Sequence, residues 1–165
     1  MGFLLTAALT FILLAGYSPF SAEKPLQIRR NKRSLFDLND MIKQLTGRSG
    51  LDFIGYGNYC GFGGEGKPVD DIDRCCKMHD ICYDFAQNDD CAEDPNVVYK
   101  IKYGWQQKSF GVQCSFSQSK CMKVVCICDV RFAKCLKNYI NEYNNSNKHE
   151  KDLQELLEEV QQMSK

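Results

Sequence analysis

Apolar residues enter this chain as a near-continuous run, Phe3 to Ala15, and afterwards only at helical or alternating spacing. The run is interrupted by threonine and is too short for a comfortable membrane span; its length is that of a secretory signal's apolar segment. No basic residue precedes it, and Ala22 is the candidate cleavage position. From Ser34 the pattern changes. Leu35, Leu38, Ile42 and Leu45 fall on one helical face, which predicts a short helix over 34–46 that Gly47 can stop. Phe36 lies off that stripe. Frequent glycine from Gly47 to Lys67 reads as loop.

Asp70 can cap a second helix running to about Phe85, with Pro68 before it and Asp73 three residues on. Within it Cys75, Met78, His79, Cys82 and Tyr83 recur at spacings of three and four and share a face. Cys76 and Asp80 lie on a neighbouring face. Residues 88–96 are polar and turn-rich. Gly104 to Phe116 carries Trp105, Phe110, Val112 and Phe116 around Gly111 and reads as a short hairpin. A third helix is expected from Ser119 to about Ile140. An Asn/Ser linker over 141–147 then leads to an amphipathic tail helix with Leu153, Leu156, Leu157, Val160 and Met163 on its stripe. That tail could pack on the domain, dimerise or bind lipid; about two heptads are too few for an isolated coiled coil.

Cysteine usage agrees with export. All ten cysteines lie between Cys60 and Cys135. An even, clustered set behind a signal segment reads as disulfides, each contributing ~2–4 kcal/mol. Zinc is the competing reading, but paired C-x-x-C knuckles are absent. The basic run ending Arg30-Asn31-Lys32-Arg33 reads as a propeptide cut site, so the mature chain would start at Ser34. The organisation is then a signal peptide over 1–22, a propeptide over 23–33, one domain over 34–140, and linker plus tail over 141–165. Removing five basic residues and one acid leaves 16 basic against 20 acidic residues, a net charge of −4. That balance is a poor match for nucleic acid.

Candidate chemistry lies between Tyr56 and Tyr83. Calcium takes ~6–8 oxygen ligands, often mixing carboxylates with main-chain carbonyls. Tyr59, Gly61 and Gly63 alternate along a glycine-rich loop, and Asp80 could add a carboxylate from the helix. His79 beside it can accept a proton from water at neutral pH. Such a base needs an acceptor on its other ring nitrogen. Asp129, beside Cys128, is the candidate if Cys128 is tied back to Cys82. Taken singly, the loop reads as an ordinary glycine turn and the histidine as structural; their adjacency is what points to calcium-assisted ester hydrolysis.

C-G-F-G-G-E-G-K-P-V-D-D-I-D-R-C-C-K-M-H-D-I-C-Y, with Cys114-x6-Cys121-x4-Cys126-x-Cys128-Asp129-x5-Cys135 after it, resembles the calcium loop and active-site helix of secreted phospholipase A2. The resemblance covers residues 34–135, and S-L-F-D-L-N-D-M-I-K is similar to the pancreatic and elapid-venom branch. It implies a mainly α, disulfide-rich fold: three main helices, two of them long, antiparallel and disulfide-linked, with a calcium loop and a small β-hairpin. It implies the pairs Cys60–Cys76, Cys75–Cys135, Cys82–Cys128, Cys91–Cys121 and Cys114–Cys126.

By the same resemblance His79 is the base, Asp129 its partner, and Tyr83 and Tyr103 hydrogen-bond Asp129. Tyr59, Gly61, Gly63 and Asp80 hold one Ca2+, and the Gly61 amide serves the oxyanion. Tyr99 contacts the substrate phosphate. Leu35, Phe36, Leu51, Phe53 and Phe62 line the lipid slot or its rim, with core packing the alternative. The implied partner is a phospholipid membrane or micelle surface. A receptor- or channel-binding ligand on the same scaffold is the rival role. Asn144-Asn145-Ser146 is a glycosylation acceptor.

The chain departs from the family pattern in places. Asn58 stands where many members have cysteine, and its C-terminal partner is missing too. Gln44 and Gln107 occupy another lost pair. Asp37 replaces a common glutamine.

Overall fold

In the computed structural model, which describes residues 34–109 and 111–149, two helices crosslinked twice form the frame. α2 (Asp71–Asn88) and α3 (Lys120–Tyr139) are joined by Cys75–Cys135 and Cys82–Cys128, each with Cα atoms 5.7 Å apart. A step of seven residues up α2 is a step of seven down α3, so the pair runs antiparallel. Asp70 caps α2 by accepting the Asp73 N–H, and Ser119 caps α3 by accepting that of Met122. Ile72, Cys75, Tyr83 and Ala86 of α2 and Val125, Cys128, Phe132 and Leu136 of α3 are buried. α2 runs one turn beyond Phe85, because Ala86 still packs inside and no breaker follows it.

α1 (Ser34–Thr46) packs on α3 through Leu38, Met41 and Ile42. Gly47 closes α1 by donating its N–H to the Lys43 carbonyl at 3.0 Å. β1 (Trp105–Lys108) and β2 (Gly111–Cys114) form an antiparallel hairpin in the register Trp105 to Cys114. Three short 3-10 turns, Gly50–Phe53, Pro95–Tyr99 and Ile140–Glu142, bridge the main elements, and a fourth, Asn145–Asn147, lies near the C-terminal end. The remaining disulfides, Cys60–Cys76, Cys91–Cys121 and Cys114–Cys126, complete the five pairs that the resemblance implies, with no cysteine free.

Asp37, the departure in the first helix, is buried and accepts a hydrogen bond from Trp105 Nε1 at 3.1 Å. It fastens α1 to the hairpin. Asp37→Ala is expected to lower unfolding stability by about 1.5–3 kcal/mol in a denaturant titration, since a bond to a charged group is lost and a buried indole N–H is orphaned.

Met78 shares helical spacing with the buried face of α2 but is 57% exposed, and Phe116 is exposed beyond the hairpin. The stretch expected as a soft linker is packed instead. Tyr143 lies tilted against Tyr56 and meets Phe53 edge-on, while its hydroxyl donates to the Asp52 carbonyl at 2.8 Å. Gly57 donates its N–H to the Asn147 carbonyl and His149 donates to that of Gly55. Polar composition looks like a linker until those polar groups find partners in the domain. The signal segment, the propeptide with its Arg33 cut site, Phe110 and the tail helix lie outside the described residues, as does the Leu35 side chain. Among the described residues no helix is long and apolar enough to cross a membrane.

Candidate active site

The two crosslinks hold His79 and Asp129 on facing helices, and the side chains meet. His79 Nε2 lies 2.8 Å from Asp129 Oδ1. A carboxylate can only accept, so Nε2 carries the proton and Nδ1 keeps the lone pair. Asp129 is fully buried and also accepts from the Tyr83 hydroxyl at 2.7 Å and from that of Tyr103. Burial, then the Asp129 charge, push the Tyr103 phenol well above its usual range, so it stays a donor. Phe132 stacks on the imidazole, centroids 4.5 Å apart. Sequence reasoning missed Phe132, although its place one helical turn after Asp129 puts it on the same face.

The loop ahead of α2 is held by Asp73, a third buried carboxylate whose role exceeds its place in the cap. Its oxygens accept the N–H groups of Asn58, Tyr59 and Val69 at 2.9, 2.8 and 3.0 Å. Gly57 makes this approach possible. Its φ is +60°, and a Cβ there would lie 2.2 Å from Asp73 Cγ. Cys60–Cys76 ties the next residue of the loop to α2. The Asn58 side-chain amide donates to the Lys67 carbonyl at 2.8 Å.

His79, Asp80, Tyr59, Gly61 and Gly63 converge on one cavity of about 380 Å3. Its walls are Leu38, Ile42, Leu51, Phe53, Phe62 and Tyr99, with Tyr83 and Phe132 beside the histidine. Phe62 meets Tyr99 edge-on at 5.3 Å. Leu51 reaches from this lining to the surface, whereas Phe53 is buried. Phe36 is 56% exposed and is not among the lining residues. The ester-sized slot is therefore apolar along its length and polar at one end.

At that end Asp80 Oδ2 is buried and has no hydrogen-bond partner. Burial first, with the nearby Asp84 and Asp73 charges adding to it against His79, pushes this carboxyl up to about 7. Among the described residues no three His, Cys, Asp or Glu side chains gather into a metal site. A hard cation here would depend on main-chain carbonyls with one carboxylate, groups that Tyr59, Gly61, Gly63 and Asp80 of the lining could offer. The orphaned oxygen fits such an ion, because a buried negative charge is stable only when paired.

Disulfide-linked antiparallel helices carrying a His–Asp pair at the base of an apolar slot define a small hydrolase for substrates with long apolar chains. The family model of phospholipase A2 matches residues 35–148. Phospholipase A2 SSD387 of Scolopendra dehaani is 37% identical over 140 residues, covering 82% of this chain and 94% of that one. Group IID secretory phospholipase A2 of Homo sapiens is 35% identical over 79% of this chain and 84% of its own, and a phospholipase A2 of Bos taurus is 39% identical over 72% and 85%. The chain belongs to the phospholipase A2 family and is a lipid-ester hydrolase.

Proposed function

We propose that the chain cleaves the sn-2 ester of glycerophospholipids in a calcium-dependent reaction, releasing a fatty acid and a lysophospholipid. The observation that carries this reading is the His79–Asp129 bond set beside the partnerless Asp80 oxygen at the polar end of the slot. With Nε2 committed to Asp129, Nδ1 takes a proton from water as the water oxygen attacks the ester carbonyl carbon. The same nitrogen returns that proton to the departing glycerol oxygen. Asp129 holds the tautomer and offsets the charge on the imidazolium, while Phe132 keeps the ring from turning. The Gly61 N–H would donate to the oxyanion. Tyr59, Gly61 and Gly63 carbonyls with Asp80 would hold the cation, which when bound supplies positive charge for the carbonyl oxygen and the phosphate. Burial pushes the Tyr99 phenol up, so its hydroxyl stays protonated and would donate to a phosphate oxygen.

The acyl chains would run along Leu38, Ile42, Leu51, Phe53 and Phe62. Exposed Phe36 and Leu51 would form the rim that enters the lipid surface, where a net charge of −4 makes apolar insertion the main attraction. Residues 1–22 as signal, cleavage after Arg33, secretion, and glycosylation at exposed Asn144 complete the reading; the secretory relative and the oxidised cysteines support export. Protein beginning at Ser34, assayed on mixed phospholipid vesicles, is expected to release fatty acid from the sn-2 position with calcium. Chelator should slow that release by about 100-fold or more. Full activity in chelator would remove the calcium role.

A further inference from the structure

The metal-ligating loop is gripped from two sides, and only one of them is α2. On the other side the C-terminal strap, residues 143–149, runs against the loop's entrance. Gly57 donates its N–H to the Asn147 carbonyl at 2.8 Å, and His149 donates to the Gly55 carbonyl at 2.7 Å. Asn147 does more than extend this bridge. Its side-chain amide donates to Asp70 Oδ2 at 2.8 Å and reaches the Tyr56 hydroxyl at 3.4 Å; Tyr56 itself donates to the same Asp70 oxygen. Asp70 is the N-cap of the helix that carries His79 and Asp80. One residue therefore joins the start of the loop bearing three candidate carbonyl ligands to the start of the helix bearing the fourth ligand. Tyr143 anchors the strap through the Asp52 carbonyl, with the Arg48 guanidinium 4.1 Å over its ring.

The strap fastens the loop at Gly57, the same residue whose missing side chain lets Asp73 approach from α2. We propose that Asn147 is a positioning residue that holds the loop carbonyls at the distance from Asp80 that calcium requires, and so sets calcium affinity without touching the ion. A calcium site of this kind is sensitive to such spacing, since each carbonyl must approach to ~2.3–2.6 Å. Loosening the strap would let the loop relax away from Asp80 while Asp73 and Cys60–Cys76 keep it folded.

This inference rests on the calcium reading above, and calorimetric titration of the full, disulfide-intact mature chain with calcium chloride separates the two. Wild-type protein that takes up no calcium would overturn both. If wild type binds, Asn147→Ala is expected to raise Kd about 10-fold, with kcat at saturating calcium within about twofold of wild type. Asn145→Ala, which alters an exposed neighbour, is expected to leave Kd unchanged. Asn147→Asp keeps the shape but turns a donor toward Asp70 into a charge, so its Kd should rise at least as far. An unchanged Kd in Asn147→Ala, or wild-type Kd in Asn147→Asp, would overturn the proposal and leave the calcium reading intact. A fall in kcat at saturation matching the rise in Kd would also overturn it. Should Asn147→Ala not fold, Asn147→Ser, which keeps one donor, carries the same titration with a smaller expected rise, and an unchanged Kd there would count against the proposal.

Discussion

His79→Gln is expected to lower kcat on phospholipid vesicles by about 1,000-fold, with melting temperature and calcium affinity close to wild type. The size follows from losing the general base, a contribution of ~10²–10⁴-fold. Glutamine cannot take a proton at neutral pH. Its side-chain amide can still donate toward Asp129, which in addition keeps the Tyr83 and Tyr103 hydroxyls. The buried carboxylate is therefore not stranded, and a large fall in activity cannot be blamed on unfolding. Loss of the ring contacts with Phe132 and Tyr83 is a packing cost, and it acts on stability rather than on proton transfer. Fatty-acid release at saturating calcium checks the kinetics, and a thermal melt checks the fold. Activity within tenfold of wild type would mean that the proton goes elsewhere and that the assignment of His79 is wrong.

How far the site could be read from the chain follows from the kind of signal each residue carries. His79 and Asp80 were legible because helical spacing between cysteines fixes direction: a pinned helix allows its side chains few places. Asp129 is fifty residues away and is legible only through the family resemblance, which implies the Cys82–Cys128 crosslink beside it. Asp73 shows in the sequence only as a residue of the helix's first turn. Among Asp70, Asp71 and Asp73 nothing local says which one is buried under three main-chain N–H groups, since that depends on Gly57 leaving room. The strap was illegible for a related reason. Asn144 to Asn147 has the composition of a solvated linker, and its amides bind because Tyr56, Asp70 and Gly57 happen to offer complementary groups. Local pattern records periodicity and crosslinks well, whereas polar pairing between distant segments leaves almost no trace in it.

Asp80→Asn is expected to abolish measurable calcium binding and to reduce vesicle hydrolysis to the level that wild type shows in chelator. The carboxamide keeps the volume and one acceptor oxygen but removes the single side-chain charge in the proposed donor set. Carbonyl dipoles alone then face a divalent ion, which dehydrates at great cost and gains no neutralising partner. The same change should act in the opposite direction on the calcium-free fold. Asp80 Oδ2 is buried without a partner, and burial holds that carboxyl at about 7. Ionising it in place is therefore unfavourable to folding, and an uncharged amide relieves the strain. Calcium-free Asp80→Asn should melt no lower than calcium-free wild type, while the upward shift that calcium gives the wild type should vanish. At calcium 100 times Kd that shift corresponds to about 2.7 kcal/mol. Paired melts with calcium and with chelator, run on both proteins, read all four states. A variant that still gains stability from calcium would show that the ion sits elsewhere, and one that unfolds without calcium would show that Asp80 holds the structure rather than the metal.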